Sequence, residues 1–170
     1  MANRLAEAVT FVLIRAITYA TVFIGILLVY LPARVLSWSG IQQPVATGPS
    51  QVAGVAVGAI GGALALWCIA TFIFVGHGTP APFDPPRRLI VVGPYRQVRN
   101  PMYVGACFAL AGAALFYESW ALIGYCFIFT LVMHLFVVMY EEPTLRRTFG
   151  TPYERYCEQV QRWWPKRRKE

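Results

Sequence analysis

Four long apolar segments make up most of the chain, and short polar segments separate them. A membrane-spanning helix needs about 20 mostly apolar residues, and the pattern supplies four candidates of about that length. We predict spans over residues 8–31, 52–75, 101–117 and 119–140. The first is expected to stop at Pro32, and the last two form an antiparallel helical hairpin because their connection is very short.

Composition supports a membrane environment rather than a soluble domain. Apolar residues make up 57% of the chain and charged residues 14%, whereas soluble domains carry roughly 25% charged residues. The mean hydropathy is +0.51. The net charge is +7, and the basic residues lie in the segments outside the apolar ones rather than along one polar face. This distribution argues against a nucleic-acid partner. The predicted fold class is an all-α integral membrane protein with four transmembrane helices.

The distribution of basic residues predicts the orientation in the membrane. Arginine and lysine are concentrated in the loop of residues 76–100 and in the tail of residues 141–165 and beyond, whereas the opposite face has only Arg34. Because cytoplasmic loops carry the excess of Lys and Arg, both termini, this loop and the tail are expected on the cytoplasmic side. No cleavable signal peptide is evident. Residues 1–170 are expected to form a single membrane domain.

Small residues recur along the second span, with Gly54, Gly58 and Gly62 at four-residue spacing. In lipid, such residues allow two helix backbones to approach closely. The segment matches no dinucleotide-binding pattern, so we interpret it as a helix-packing face. The third span repeats the pattern with Gly105, Ala109, Gly112 and Ala113. The four cysteines form no CxxC pair, and no metal site is predicted.

The tail predicts a separate amphipathic helix after the fourth span. Gly150 is expected to end the helix that continues from Glu141, and Thr151 to Glu154 has the sequence of a capping box. Helical spacing then gives an apolar side with Tyr153, Tyr156, Cys157, Val160 and Trp163. It gives an opposite, polar side with Arg155, Glu158, Gln159 and Arg162. This helix is expected to lie at the cytoplasmic surface and to cap a pocket.

Three features are candidates for chemistry. Residues 93–103, GPYRQVRNPMY, place Arg96 and Arg99 beside a helix that starts at Asn100 and Pro101. Backbone N–H groups, the helix dipole and guanidinium groups together favour an anion such as a carboxylate or phosphate. The alternative is that both arginines only anchor the topology.

The other two features lie on the fourth apolar helix. Glu141 and Glu142 follow its cytoplasmic end, where the helix dipole disfavours negative charge. They can accept hydrogen bonds from ribose hydroxyls or an ammonium group, or pair with Arg146 or Arg99. His134 lies seven residues before Glu141 on nearly the same face. An ionisable side chain within a span indicates function, although a neutral imidazole bonded to a neighbouring carbonyl is an equal alternative.

The string GPYRQVRNPMYVG, followed about forty residues later by YEEPTLRRTFGTPYERYCEQVQRWWP, resembles the C-terminal signature of the isoprenylcysteine carboxyl methyltransferase and phospholipid methyltransferase superfamily. The resemblance covers roughly residues 88–165. Asn100 stands where that family often has His. In the carboxyl methyltransferases an Arg stands seven residues before the acid pair, at the position of His134 here.

The resemblance implies an integral membrane methyltransferase that uses S-adenosyl-L-methionine, bound on the cytoplasmic side. Its motifs carry over as a first element with Tyr95, Arg96, Arg99, Asn100, Pro101 and Tyr103, a second with Glu141 and Glu142, and a third with Tyr153 and Tyr156. His134 and Glu141 are the candidate catalytic residues, His134 as a base or a hydrogen-bond donor.

The implied acceptor is a small lipophilic molecule or a lipid, with a prenylcysteine-like carboxylate, a phospholipid amine and a thiol as open choices. Two other functions compete with this one. A reductase that binds NADPH is possible because sterol reductases have a similar C-terminal half, although they have more spans. A tetraspan scaffold would account for the glycine-rich helices. The sequence gives no oligomeric state.

Overall fold

The computed structural model describes residues 18, 21–41, 44, 47–76 and 89–166. Within these residues the secondary structure is helical and contains no strand, and a single isolated bridge joins Val98 to Gln161. Five helices organise the described part. They are α1 (Thr21–Trp38), α2 (Pro49–Val75), α3 (Pro101–Phe116), α4 (Trp120–Phe149) and α5 (Thr151–Gln159).

In the described part, three of these helices, α1, α2 and α4, are long and apolar enough to cross a membrane. Helix α3 is apolar but has only 16 residues, which corresponds to a rise of about 24 Å. The hydrocarbon core of a bilayer is about 30 Å thick. The predicted third span is therefore present as a helix, but it is shorter than a standard span.

The predicted end of the first span at Pro32 is wrong, because α1 continues through Pro32 to Trp38. Residues 24–30 immediately before this proline are π-helical. Such a local change in helix type compensates for the missing N–H of proline inside an apolar helix. Residues 8–17, which begin the predicted span, lie outside the described residues.

Helices α2 and α3 pack antiparallel through glycine contacts, as predicted. A Cβ atom built on Gly54 would lie 2.7 Å from the Gly112 carbonyl oxygen, and one built on Gly61 would lie 2.5 Å from the Gly105 oxygen. Only glycine permits this approach of the two backbones. The prediction for Gly62 is wrong, because a Cβ there meets nothing within 4 Å. A Cβ on Gly58 also meets nothing within 4 Å, although the Gly58 backbone lies 2.5 Å from a Cβ built on Gly112. The close contacts of α2 are therefore made at Gly54 and Gly61, seven residues apart rather than four.

Helix α4 packs against α3 and α1, and it carries polar residues at its far end. Ala106, Leu110 and Phe129 form a buried cluster between these helices, and the Tyr125 hydroxyl donates to the Leu27 carbonyl at 2.7 Å. A π-helical turn over residues 137–141 links the apolar part of α4 to its last eight residues, Glu142–Phe149. Gly150, with a φ of 56°, ends the helix, as predicted.

Two predictions about α5 are wrong. Gly150 occupies the N-cap position and Thr151 is already helical, with no side-chain cap, so the predicted capping box does not form. The helix also ends at Gln159 rather than at the tryptophans, because Val160 adopts an extended conformation with φ −120° and ψ 128°. Residues 160–164 therefore leave the helix and run back across the end of the bundle.

Candidate functional site

Polar side chains converge at the end of the bundle where α3 begins and α4 ends. The loop before α3 contains a short 3-10 helix, Gly93–Arg96. The tail runs beside the following residues, since the Arg99 N–H donates to the Gln161 carbonyl at 2.9 Å and the Asn100 side-chain amide donates to the Arg162 carbonyl at 3.3 Å. These contacts bring the loop, the end of α4 and the tail into one site.

Glu142 lies at the centre of a buried charge cluster. Its side chain is 7% exposed, and the Arg99 guanidinium lies 3.2 Å from its Oε1 atom. Arg162 donates from Nε to Oε1 at 2.6 Å and from Nη2 to Oε2 at 2.9 Å. Two guanidinium groups therefore satisfy both carboxylate oxygens, and the cluster of two arginines and one glutamate carries a net positive charge.

Arg99 keeps unused hydrogen-bonding capacity. Its Nη1 atom contacts Glu142 and also lies 2.7 Å from the Cys157 sulfur. Its Nε atom is buried and has no hydrogen-bond partner within the described residues. Buried polar groups are normally hydrogen-bonded, so this N–H donor is available to a bound group.

Tyrosines connect the charge cluster to its surroundings. The Tyr103 hydroxyl donates to Glu141 Oε2 at 3.1 Å, and the Tyr156 hydroxyl donates to the Tyr95 carbonyl at 2.7 Å. Tyr153 is buried beside Tyr156, with ring centroids 6.2 Å apart. Burial raises the pKa of the Tyr153 and Tyr156 phenols, so both remain neutral hydrogen-bond donors at physiological pH.

An apolar cavity of about 540 Å³ adjoins this cluster, between α3 and α4. Tyr103 lies in its wall, and Trp163 and Trp164 from the tail close one end. His134 also lines the cavity, and its Nδ1 atom lies 3.1 Å from the indole nitrogen of Trp163. The volume is within the range of about 300–1,000 Å³ that small-molecule sites occupy.

Comparison with known proteins identifies the family. A family model described as phospholipid methyltransferase matches residues 49–152, which include α2, α3, α4 and the loop with Arg99. The chain belongs to the phospholipid methyltransferase family. No curated protein and no solved structure matches it. With three helices that can cross a membrane, this phospholipid methyltransferase family member is an integral membrane protein.

Most of the site residues suggested by the sequence are brought together in this family member. The charge cluster itself contains Arg99 and Glu142. The residues around it include Asn100, Tyr153 and Tyr156. Tyr103 and Glu141 form a hydrogen-bonded pair between that cluster and the cavity. Pro101 is buried at the start of α3. Tyr95 is buried and linked to the site through its backbone.

The structure does not bring Arg96 into the cluster, because its side chain is exposed. The alternative that Glu142 pairs with Arg99 is confirmed. The side chains of Glu141 and Glu142 have different partners, so the acid pair divides between two environments. His134 is likewise hydrogen-bonded to a tail side chain rather than to a carbonyl of a neighbouring helix.

Three residues of the site escaped sequence analysis: Arg162, Cys157 and Trp163. Helical periodicity placed Arg162 on the polar side of α5, but the helix ends before it. One signal was available, since two adjacent acids at the end of an apolar helix require compensating cations. Cys157 appeared only as part of the apolar face, and no local pattern relates Trp163 to His134.

Proposed function

We propose that this protein is a membrane methyltransferase that transfers a methyl group from S-adenosyl-L-methionine to a small lipophilic or lipid acceptor. The observation that supports this most directly is the position of Tyr103. Its ring lines the apolar cavity while its hydroxyl binds Glu141, so a polar site and a lipophilic site share one wall. A transfer between a charged cofactor and a lipophilic acceptor requires that arrangement.

The described residues fit the cofactor. The unpartnered Nε of Arg99 suits its carboxylate, because a guanidinium binds carboxylates with charge-assisted hydrogen bonds. Glu141 accepts only one hydrogen bond in the described part, from Tyr103, and so retains acceptor capacity for an ammonium group or ribose hydroxyls. Tyr153 and Tyr156 offer aromatic faces, which attract cations.

Glu142 has a different role in this proposal, because Arg99 and Arg162 already satisfy its two oxygens. It fixes the direction of the Arg99 side chain rather than contacting the cofactor. Asn100 contributes in the same way, since its amide binds the tail backbone beside Arg162. The tail is thereby held against the site on its polar side.

The acceptor occupies the cavity between α3 and α4. The cavity is lined mainly by apolar side chains, and some of them, including Phe127 and Leu131, are exposed on the outer surface of the helices. A lipophilic molecule can therefore reach the cavity from the bilayer. Prenylcysteine-like carboxylates, phospholipid amines and thiols remain the acceptor classes to test.

S-Adenosyl-L-methionine supplies an electrophilic methyl group that a nucleophile attacks directly. The chain contributes alignment of the two sites and exclusion of water, and the first of these effects can provide a large part of a rate enhancement. Trp163 and Trp164 line the cavity, and Trp163 lies beside His134. His134 is the side chain that we place nearest to the acceptor.

In this proposal all four apolar helices lie in the bilayer, with the site, both termini and α5 on the cytoplasmic side. The distribution of Lys and Arg supports this orientation. The shorter α3 is accommodated because it packs between two longer helices, and its first turn meets the polar site. The residues that begin α3, Asn100 and Pro101, then lie near the membrane surface.

The function is tested by calorimetric titration of the detergent-purified protein with S-adenosylhomocysteine, with NADPH as the control ligand. We expect micromolar binding of S-adenosylhomocysteine, weakened at least about tenfold in Glu141→Ala by loss of a hydrogen-bond acceptor. Binding of NADPH alone would favour the reductase. Binding of neither ligand to folded protein would favour a non-enzymatic scaffold and overturn the proposal.

A further inference from the structure

The hydrogen bond between Trp163 and His134 defines the protonation of the imidazole. An indole nitrogen is a donor only, so the Nδ1 atom of His134, 3.1 Å away, must accept with its lone pair. A doubly protonated imidazole has no such lone pair. His134 is therefore neutral in this arrangement and carries its proton on Nε2.

The tail holds Trp163 in this position through the residues just before it. The Gln161 carbonyl accepts from the Arg99 N–H, the Arg162 carbonyl accepts from Asn100, and the Arg162 guanidinium binds Glu142. Two consecutive tail residues, Gln161 and Arg162, therefore have fixed partners. The indole of Trp163 is connected through them to the charge cluster on the other side of Tyr103.

The Nε2–H of His134 has no hydrogen-bond partner within the described residues, although the side chain lines the cavity. The two hydroxyl groups of the wall are already engaged. The Tyr103 hydroxyl donates to Glu141, and the Thr130 hydroxyl donates to the Cys126 carbonyl at 2.8 Å. Trp164 also lines the cavity, but its side chain is 77% exposed. His134 therefore supplies a half-buried N–H donor to this largely apolar cavity.

We propose, resting on the proposed function, that Trp163 is a positioning residue that keeps His134 as a neutral Nε2–H donor toward the acceptor. His134 then does not act as a general base. A general base needs a free lone pair on Nε2, so the proton of a neutral imidazole would have to lie on Nδ1. The Nδ1–H of His134 would then face the indole N–H of Trp163 at 3.1 Å, and two donors cannot form a hydrogen bond. The sequence had left both roles of His134 open.

The tautomer is measured directly by nitrogen NMR of histidine-labelled protein in nanodiscs. The chain has two histidines, so His77→Gln leaves His134 as the single labelled residue. We expect an unprotonated Nδ1 and a protonated Nε2, and a mixture of tautomers in Trp163→Phe, which keeps an aromatic ring but removes the N–H. A proton on Nδ1 in the parent would overturn the proposal.

Activity of two His134 variants distinguishes a donor from a base. Glutamine places an amide N–H near the position of Nε2 but cannot accept a proton at neutral pH, whereas alanine does neither. The parent protein is first assayed with a farnesylcysteine analogue, phosphatidylethanolamine vesicles and an alkyl thiol, and the acceptor that it methylates is used for the variants. With that acceptor, we expect His134→Ala to lose about 100-fold in kcat. His134→Gln should recover at least about tenfold of that loss.

Equal loss in His134→Gln and His134→Ala, with folding preserved, would overturn the donor role. Trp163→Phe should lower kcat, while the affinity for S-adenosylhomocysteine stays within about twofold because the indole contacts the cavity rather than the charge cluster. A loss of affinity as large as the loss in kcat would contradict the positioning role. The NMR measurement needs no turnover. A failure of the proposed function, seen as no binding of S-adenosylhomocysteine to the parent, is therefore distinguishable from a failure of this inference.

Discussion

Arg162 binds both carboxylate oxygens of Glu142, with N–O distances of 2.6 and 2.9 Å. Arg99 shares one of these oxygens at 3.2 Å. The two arginines come from segments about sixty residues apart in the chain, so the carboxylate joins the loop before α3 to the tail. The cluster therefore contributes to folding as well as to the site.

Removal of Glu142 is expected to destabilise the protein strongly. Glu142→Ala leaves the buried Arg99 guanidinium and the half-buried Arg162 guanidinium without their counter-ion, and breaking a buried ion pair in this way costs about 3–5 kcal/mol. Thermal unfolding in detergent measures the effect. The matched control is Glu154→Ala in α5, where the carboxylate is exposed and we expect a change within about 0.5 kcal/mol. Equal stability of the two variants would contradict the cluster's structural role.

Glycine packing between α2 and α3 gives a second prediction with a neighbouring control. In Gly61→Ala the new Cβ would lie 2.5 Å from the backbone of α3, whereas in Gly62→Ala it would meet nothing within 4 Å. We expect Gly61→Ala to lose about 1–3 kcal/mol, as overpacked cores do, and Gly62→Ala to be neutral or slightly stabilised. Comparable melting temperatures for both would show that the helices pack differently.

The two arginines of the loop are expected to contribute differently to cofactor binding. Arg99 is largely buried with a free Nε, while the Arg96 side chain is exposed. Arg99→Lys keeps the charge but removes Nε–H and the planar guanidinium, and we expect at least about tenfold weaker binding of S-adenosylhomocysteine. Arg96→Lys should change it less than about twofold. Calorimetric titration measures the affinity of both variants for S-adenosylhomocysteine. A larger loss of affinity in Arg96→Lys than in Arg99→Lys would place the anion site at Arg96.

Tyr103 tests the connection between the polar site and the cavity. Tyr103→Phe keeps the ring in the cavity wall but removes the hydrogen bond to Glu141, and a hydrogen bond of this kind contributes about 0.5–1.5 kcal/mol. We expect roughly tenfold weaker cofactor binding with unchanged folding. Tyr117→Phe, at the opposite end of α3, is the control. An unaffected affinity in Tyr103→Phe would mean that Glu141 does not contact the cofactor.

Filling the cavity should separate acceptor binding from cofactor binding. Ala111 lines the end of the cavity away from Trp163, and Ala111→Phe is expected to raise the KM for a long-chain acceptor at least about tenfold while S-adenosylhomocysteine binds normally. Leu115→Phe, at an exposed position of the same helix that does not line the cavity, is the control. A normal KM in Ala111→Phe would place the acceptor elsewhere.

Much of the fold could be predicted because apolar length and helix-ending residues are local signals. The start of α3 at Asn100 and Pro101 and the end of α4 at Gly150 both follow from such signals. Pro32 did not end α1, because a π-helical segment before it compensates for the missing N–H. Spacing alone also could not distinguish Gly61 from Gly62, since the neighbouring helix decides which one is in contact.

The site was predicted less completely, because the residues that contact one another in it are distant in the sequence. Charge and helix-end signals brought Arg99 and Glu142 into consideration, and motif resemblance added Tyr103. Arg162 and Trp163 were missed as site residues because periodicity was extended beyond Gln159, where the helix stops. Where the backbone is extended, helical periodicity no longer predicts the direction of a side chain. Contacts with other parts of the chain then determine that direction.

The cavity follows α4 from Cys126 to His134, a distance of about 12 Å along a helix. His134 marks one end, and the π-helical turn and acid pair follow immediately after it. In the proposed function, this length of α4 sets the distance between the reactive group of the acceptor and the end of the enclosed part of its tail. Hydrocarbon beyond about 12 Å would then extend into the surrounding lipid, where its length would not affect recognition.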